Sequence, residues 1–115
     1  MTKLITDEQH AQLLANGRQS CAREDFDPAP VVKLFTPDGC ATWLLTEIDP
    51  DDPDHAFGLC DLGQGFPELG YVSLDELASV RGRLGLPIER DQYFEADKSI
   101  GSYAREARMA GRIMT

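Results

Sequence analysis

Three groups of side chains in this sequence are of a type that does chemistry: clustered carboxylates, thiols with two histidines, and a late run of arginines. The densest group is Asp49-Pro-Asp51-Asp52-Pro-Asp54, and hard cations such as calcium favour clustered carboxylates. A calcium-binding hand starting at Asp49 needs a ligand, a glycine and a glutamate where this chain has Pro53, Asp54 and Cys60. The pattern fails, and two prolines stiffen the segment. Asp49, Asp51, Asp52 and Asp54 therefore read as a solvated hairpin loop. Asp61 and Glu68 flank a glycine-rich stretch, and with Glu47 on a neighbouring strand they could do general acid–base work as a small hydrolase. Carboxylates at strand ends are ordinarily just solvated.

Cys40, His55 and Cys60, with His10 or Cys21, are soft metal ligands, but neither C-x-x-C nor H-x₃₋₅-H spacing is present. A nucleophile pair of His55 with Cys40 or Cys60 needs a lowered thiol pKa and hydrogen-bond reach, and His55 and Cys60, five apart on a regular strand, point to opposite faces. Gly63-Gln-Gly65-Phe-Pro-Glu-Leu-Gly70 superficially resembles a phosphate loop, yet it joins two strands and opens no helix. No catalytic residue, metal or cofactor is assigned. Phe66, beside Pro67 at the tip of that loop, suits a partner contact or a plug folded back into the core. Trp43 and Tyr71 read as core. Arg105, Arg108 and Arg112 share a helical stripe about 60° wide, which serves either phosphate and acidic-partner recognition or the negative end of the helix dipole.

These groups sit on elements that the pattern of apolar residues defines. Thr6-Asp-Glu-Gln9 fits a capping box, Ala11, Leu14 and Ala15 follow at helical spacing, and Asn16-Gly17 offers a stop, so a helix is expected over 7–16. Residues 18–30 read as a polar connection. Four short runs follow: VVKLFT, ATWLLTEI, HAFGLCDL and ELGYVSL, separated by PDG, DPDDPD and GQGFP. Short turn-rich separators make them sequential antiparallel strands. The second run is apolar on both faces, as a central strand covered on both sides would be. Ser73-Leu-Asp-Glu76 caps a second helix, with Val72 and Leu77 at staple spacing and Leu77, Val80 and Leu84 on one face. Residues 87–94 suit an edge strand. A last helix is expected over 99–113, with Tyr103, Ala104, Ala107, Ala110, Gly111 and Met114 on its packed side.

The 115 residues fit one α+β domain over 1–115, an antiparallel four- to five-stranded meander with N-terminal, middle and C-terminal helices packed on it. Net charge is −9, unevenly spread: residues 1–80 hold 15 Asp/Glu against 4 Lys/Arg, and residues 81–115 hold 5 against 7. Such acidity repels phosphate backbones, disfavours broad nucleic-acid binding and attracts a basic partner. Three cysteines cannot all pair, the first residues carry no apolar signal core, and nothing approaches a ~20-residue membrane span. A reducing cytoplasm is expected.

Taken in order, LITDEQ, VVKLFTP, ATWLLTE, DPDD, AFGLCDLG, PELGYVSL and LGLPIERDQYF resemble a family of small bacterial proteins classed as a domain of unknown function and carried on plasmids and conjugative elements. The resemblance implies a bacterial cytoplasm and a mobile-element setting, and it transfers no catalytic residue. The expected role is a non-enzymatic accessory protein that binds another protein through its acidic face, by Asp49, Asp51, Asp52, Asp54, Asp61, Phe66 and Glu68. In a sharper form it imitates DNA phosphates towards a host defence protein. The alternatives are a nucleic-acid binder using Arg105, Arg108 and Arg112, and the hydrolase of Asp61, Glu68 and Glu47.

Overall fold

The structure, a computed structural model, describes residues 4–115. In chain order its elements are α1 (Asp7–Ala22), β1 (Val32–Phe35), β2 (Thr42–Asp49), β3 (Asp52–Asp61), β4 (Glu68–Ser73), α2 (Leu74–Ser79), β5 (Glu89–Arg90) and α3 (Ile100–Ala110). The strands form one antiparallel sheet in the order β4-β3-β2-β1-β5. This is the α+β meander expected from the turn-separated runs.

β2 lies at the centre, and its buried stretch from Trp43 to Ile48 feeds two cores. Trp43, Leu45 and Ile48 face α1 and α2, with Leu13 and Leu77 closing that side. Leu44 points the other way, onto Leu59 and the α3 residues Tyr103, Ala104 and Ala107. A strand buried on both faces reads as continuous apolar sequence rather than alternation, which is what TWLLTEI shows. Each fully buried leucine contributes about 2 kcal/mol, and both faces of the sheet bury leucines under helices.

The capping box forms as expected: Gln9 N–H donates to Thr6 Oγ1 at 3.1 Å and Thr6 N–H to Gln9 Oε1 at 3.0 Å. α1 then runs through Asn16-Gly17, where a stop was expected, and ends at Ala22. Tertiary packing explains the difference. β1 pairs with β2 only as far as Leu45, so the carbonyls beyond it lack a strand neighbour on that side. α1 takes that place. The Asn16 side-chain amide donates to the Thr46 carbonyl at 2.8 Å, and a Cβ on Gly17 would stand 1.9 Å from the Ile48 oxygen. Gly17 is there for close approach, not for termination.

The acidic loop expected between the second and third strands shrinks to a tight hairpin. Asp49 pairs with Asp52, leaving Pro50-Asp51 as the turn, closed by Asp51 N–H donating to Asp49 Oδ1 at 2.9 Å. α2 is only six residues long and ends at Ser79, so Val80 and Leu84 are exposed instead of continuing the Leu77 face. The chain turns back through 82–86 over the β1–β2 turn, where Asp38 Oδ2 accepts from Leu84 N–H at 2.8 Å. The strand expected over 87–94 is reduced to Glu89–Arg90. α3 stops at Gly111, which is left-handed at φ 77°. Gly111 is thus the helix terminator rather than part of the packed stripe, and Ala110 and Met114 are exposed.

Candidate functional site

The sequence-derived acidic set divides between the two ends of β3. Asp49, Asp51, Asp52 and Asp54 are at one end and Asp61, Phe66 and Glu68 at the other; nine strand steps separate Asp52 from Asp61, about 30 Å at 3.3 Å per residue. At the hairpin end the carboxylates are engaged locally. Asp52 Oδ2 meets His55 Nδ1 at 2.8 Å. Asp54 accepts from Ser73 Oγ at 2.5 Å and from Asp75 N–H at 2.9 Å, so it fastens the start of α2 to the hairpin. The Ser73 hydroxyl and then the Asp75 N–H hold its carboxyl below the usual range.

Asp61, Glu68 and Glu47 are not brought together. Asp61 is buried and spent on structure, accepting from Gly63 N–H at 2.8 Å and from Ile113 N–H at 3.0 Å. Glu68 pairs across from Cys60, one residue before Asp61 on β3, and so points to the opposite face. Glu47 pairs with Phe57, four residues along β3 from Asp61. Burial raises the Glu47 carboxyl pKa, a Ser20 hydrogen bond partly offsets this, and Asp49 adds to it. Three carboxylates in this arrangement cannot share one substrate atom.

The thiols are equally dispersed. Cys21 and Cys40 are exposed, whereas Cys60 packs against the α1-side core and burial pushes its thiol up to about 11. Among the described residues no three His, Cys, Asp or Glu side chains stand together as a metal site. A hollow of about 390 Å³ between β1 and the start of α3 holds Lys33 and Lys98, and both lysines are paired with carboxylates. Lys33 lies 3.6 Å from Asp91, and Lys98 lies 3.0 Å from Glu106.

Of the three arginines, Arg105 and Arg108 are exposed neighbours one turn apart on α3 and Arg112 lies just beyond the helix end. Arg105 donates to Ser102 Oγ at 3.0 Å, and Arg108 reaches the loop after β3. There Arg108 lines an open hollow of about 440 Å³ with Gly65, Phe66, Pro67, Glu68 and Leu69. Phe66 is 79% exposed, so it is no core plug, while Pro67 beside it is buried.

That hollow opens onto β4, and here the structure shows residues the sequence reading passed over. β4 is an outer strand of the sheet. Leu69 lies across from Leu59 and Tyr71 across from Phe57, so both sit on the α3 face of the sheet. α3 covers Leu59 but not its neighbours: Leu69 is 37% and Tyr71 59% exposed, the latter in edge contact with the Phe57 ring at 5.1 Å. Tyr71, read as core, is a surface residue. Its alternation with Gly70 and Val72 is the same for an inner and an outer strand, which is why period alone misplaced it. A compositional signal was present: residues 34–80, from the end of β1 through α2, hold ten Asp/Glu and no Lys or Arg.

The chain belongs to the family described as protein of unknown function (DUF2958), whose model matches residues 4–114. No curated protein and no solved structure matches it. Among the described residues, no helix is long and apolar enough to cross a membrane.

Proposed function

We propose that this family member is a non-enzymatic interaction module that recognises a basic protein partner through the β3–β4 side of its sheet. The observation that carries the reading is a stretch of chain rich in carboxylates and free of Lys and Arg that also leaves apolar side chains exposed along an outer strand. The segment that builds β2, β3, β4 and α2 has nine carboxylates and no Lys or Arg, and Phe66, Leu69 and Tyr71 stand out from it. Apolar side chains give such a contact its free energy, and the surrounding charge selects the partner and speeds encounter. The dispersal of Asp61, Glu68 and Glu47 removes the support for a hydrolase. The acidity of residues 34–80, which repels phosphate, weighs against a nucleic-acid binder built on Arg105, Arg108 and Arg112.

In the mobile-element setting that the sequence resemblance implies, a DNA-binding host protein is a partner of this chemistry, and the acidic side would stand in for phosphate. Fluorescence titration with Lys/Arg-rich and Asp/Glu-rich peptides of equal length tests the reading. Basic peptides should bind, and moving from about 50 to 500 mM salt should weaken them at least tenfold, because screening shortens from about 14 to 4 Å. Absent or charge-indifferent binding at low salt refutes it. Competition by duplex DNA for a captured host partner separates phosphate imitation from other basic-partner binding.

A further inference from the structure

The two outer strands of the sheet are built differently. β5 is two residues long, follows Pro87 and carries Arg90, features that blunt an edge. β4 is six residues long, about 20 Å of strand. It contains no proline and no cation, and its ladder with β3 is unbroken from Glu68 to Ser73. Every second residue of such a strand turns its N–H and C=O away from the sheet. No helix or loop of the described residues makes a backbone hydrogen bond to that outer side.

We propose that β4 is the docking strand for an extended basic segment of a partner protein, which adds to the sheet as a sixth strand. The inference rests on the interaction reading above and names the partner's shape. Backbone pairing supplies register, and the side chains on the two faces of β4 set the pattern. On the α3 face the added strand meets Leu69 and Tyr71, which call for aliphatic or aromatic residues at alternate positions, and past the strand's start lies Phe66, in the hollow that it shares with Leu69 and Arg108. On the opposite face it passes the exposed Glu68, and past the strand's end it reaches the exposed Asp75 in the first turn of α2, which call for Lys or Arg at those places. Gly70 presents open space on its Cβ side, so the partner's side chains meet no obstruction there. A second copy of this chain fits less well. Each copy carries −9, and antiparallel pairing of two β4 strands sets acidic flanks against each other.

The test uses the full chain and a synthetic peptide of about eight residues, alternating Val with Lys, long enough for one strand. Two controls carry the same charge: a Gly/Lys peptide, and the Val/Lys peptide N-methylated at alternate backbone amides so that one edge cannot pair. The Val/Lys peptide should bind at least tenfold tighter than either, a difference of about 1.4 kcal/mol. It should also slow hydrogen exchange of the outward amides in 68–73 at least tenfold. Tyr71→Thr should weaken it about tenfold; should that variant fold poorly, the N-methyl comparison on the unaltered chain still decides. Equal, salt-sensitive binding of all three peptides with no β4 protection overturns strand addition while leaving the basic-partner reading standing. Failure of every basic peptide to bind removes both. Concentration-dependent protection of 68–73 without peptide makes a second copy the occupant and overturns the proposal.

Discussion

Replacing Gly17 by alanine sets two effects of opposite sign against each other. Helix propensity alone favours the change by about 1 kcal/mol, since Gly17 lies inside α1. Packing opposes it. The new Cβ would stand 1.9 Å from the Ile48 carbonyl oxygen and 3.3 Å from Pro50 Cδ. Contacts under 3.0 Å do not occur at real Cβ atoms, so α1 must withdraw from β2 by about 1 Å. The Asn16–Thr46 hydrogen bond, 2.8 Å long, then stretches beyond bonding range. Leaving that carbonyl unsatisfied costs about 1–3 kcal/mol, and strained packing around Leu13 costs about 1–3 more. The net expectation is a loss of about 3 kcal/mol, or roughly 10 °C in Tm for a domain of this size. Urea unfolding followed through the single tryptophan, buried Trp43, measures it. Ala15→Gly, on the exposed side of the same helix, should cost only about 1 kcal/mol. A neutral or stabilised Gly17→Ala protein refutes the argument that α1 substitutes for a missing strand neighbour along β2.

Three further outcomes follow from the same geometry. Gly82→Ala should destabilise by about 2 kcal/mol in the same urea assay, because its Cβ would fall 1.6 Å from Asp38 Oδ1 and displace the carboxylate that holds Leu84 N–H. Under native conditions a thiol reagent should modify Cys21 and Cys40 and spare Cys60 until the chain unfolds, read by mass spectrometry. Glu47→Gln should stabilise the protein near pH 7. Burial raises the Glu47 pKa, so the folded chain binds its proton more tightly than the unfolded one, and wild-type stability from this group grows as pH falls through the raised value. The variant should lack that gain, and unfolding midpoints compared from pH 8 to pH 5 check the sign.

The sheet was legible because each strand run is bounded by turn residues whose chemistry is local. Thr6 and Ser73 announced their helices for the same reason: a capping hydroxyl acts within three residues. Most misreadings arose where a distant contact decided. Asn16-Gly17 has the composition of a helix stop, and only the position of β2 makes it a contact face. Gly111 has the composition of a packing residue, and its left-handed conformation makes it the terminator. Asp61 looked like a reactive carboxylate because one of its two backbone donors, Ile113 N–H, lies 52 residues away and is invisible in linear order. Tyr71 was misplaced because edge position is a property of the whole sheet, so a strand's own residues do not carry it.

The account depends on charge complementarity along β4, and a charge swap tests it most directly. Glu68 and Asp75 bracket the strand, and both are exposed. In the Glu68→Lys/Asp75→Lys protein, affinity for the Val/Lys peptide should fall at least tenfold, about 1.4 kcal/mol. Affinity for the matching Val/Glu peptide should rise by a similar factor. Unchanged binding of both peptides by the swapped protein would contradict the assignment of β4 as the recognition strand.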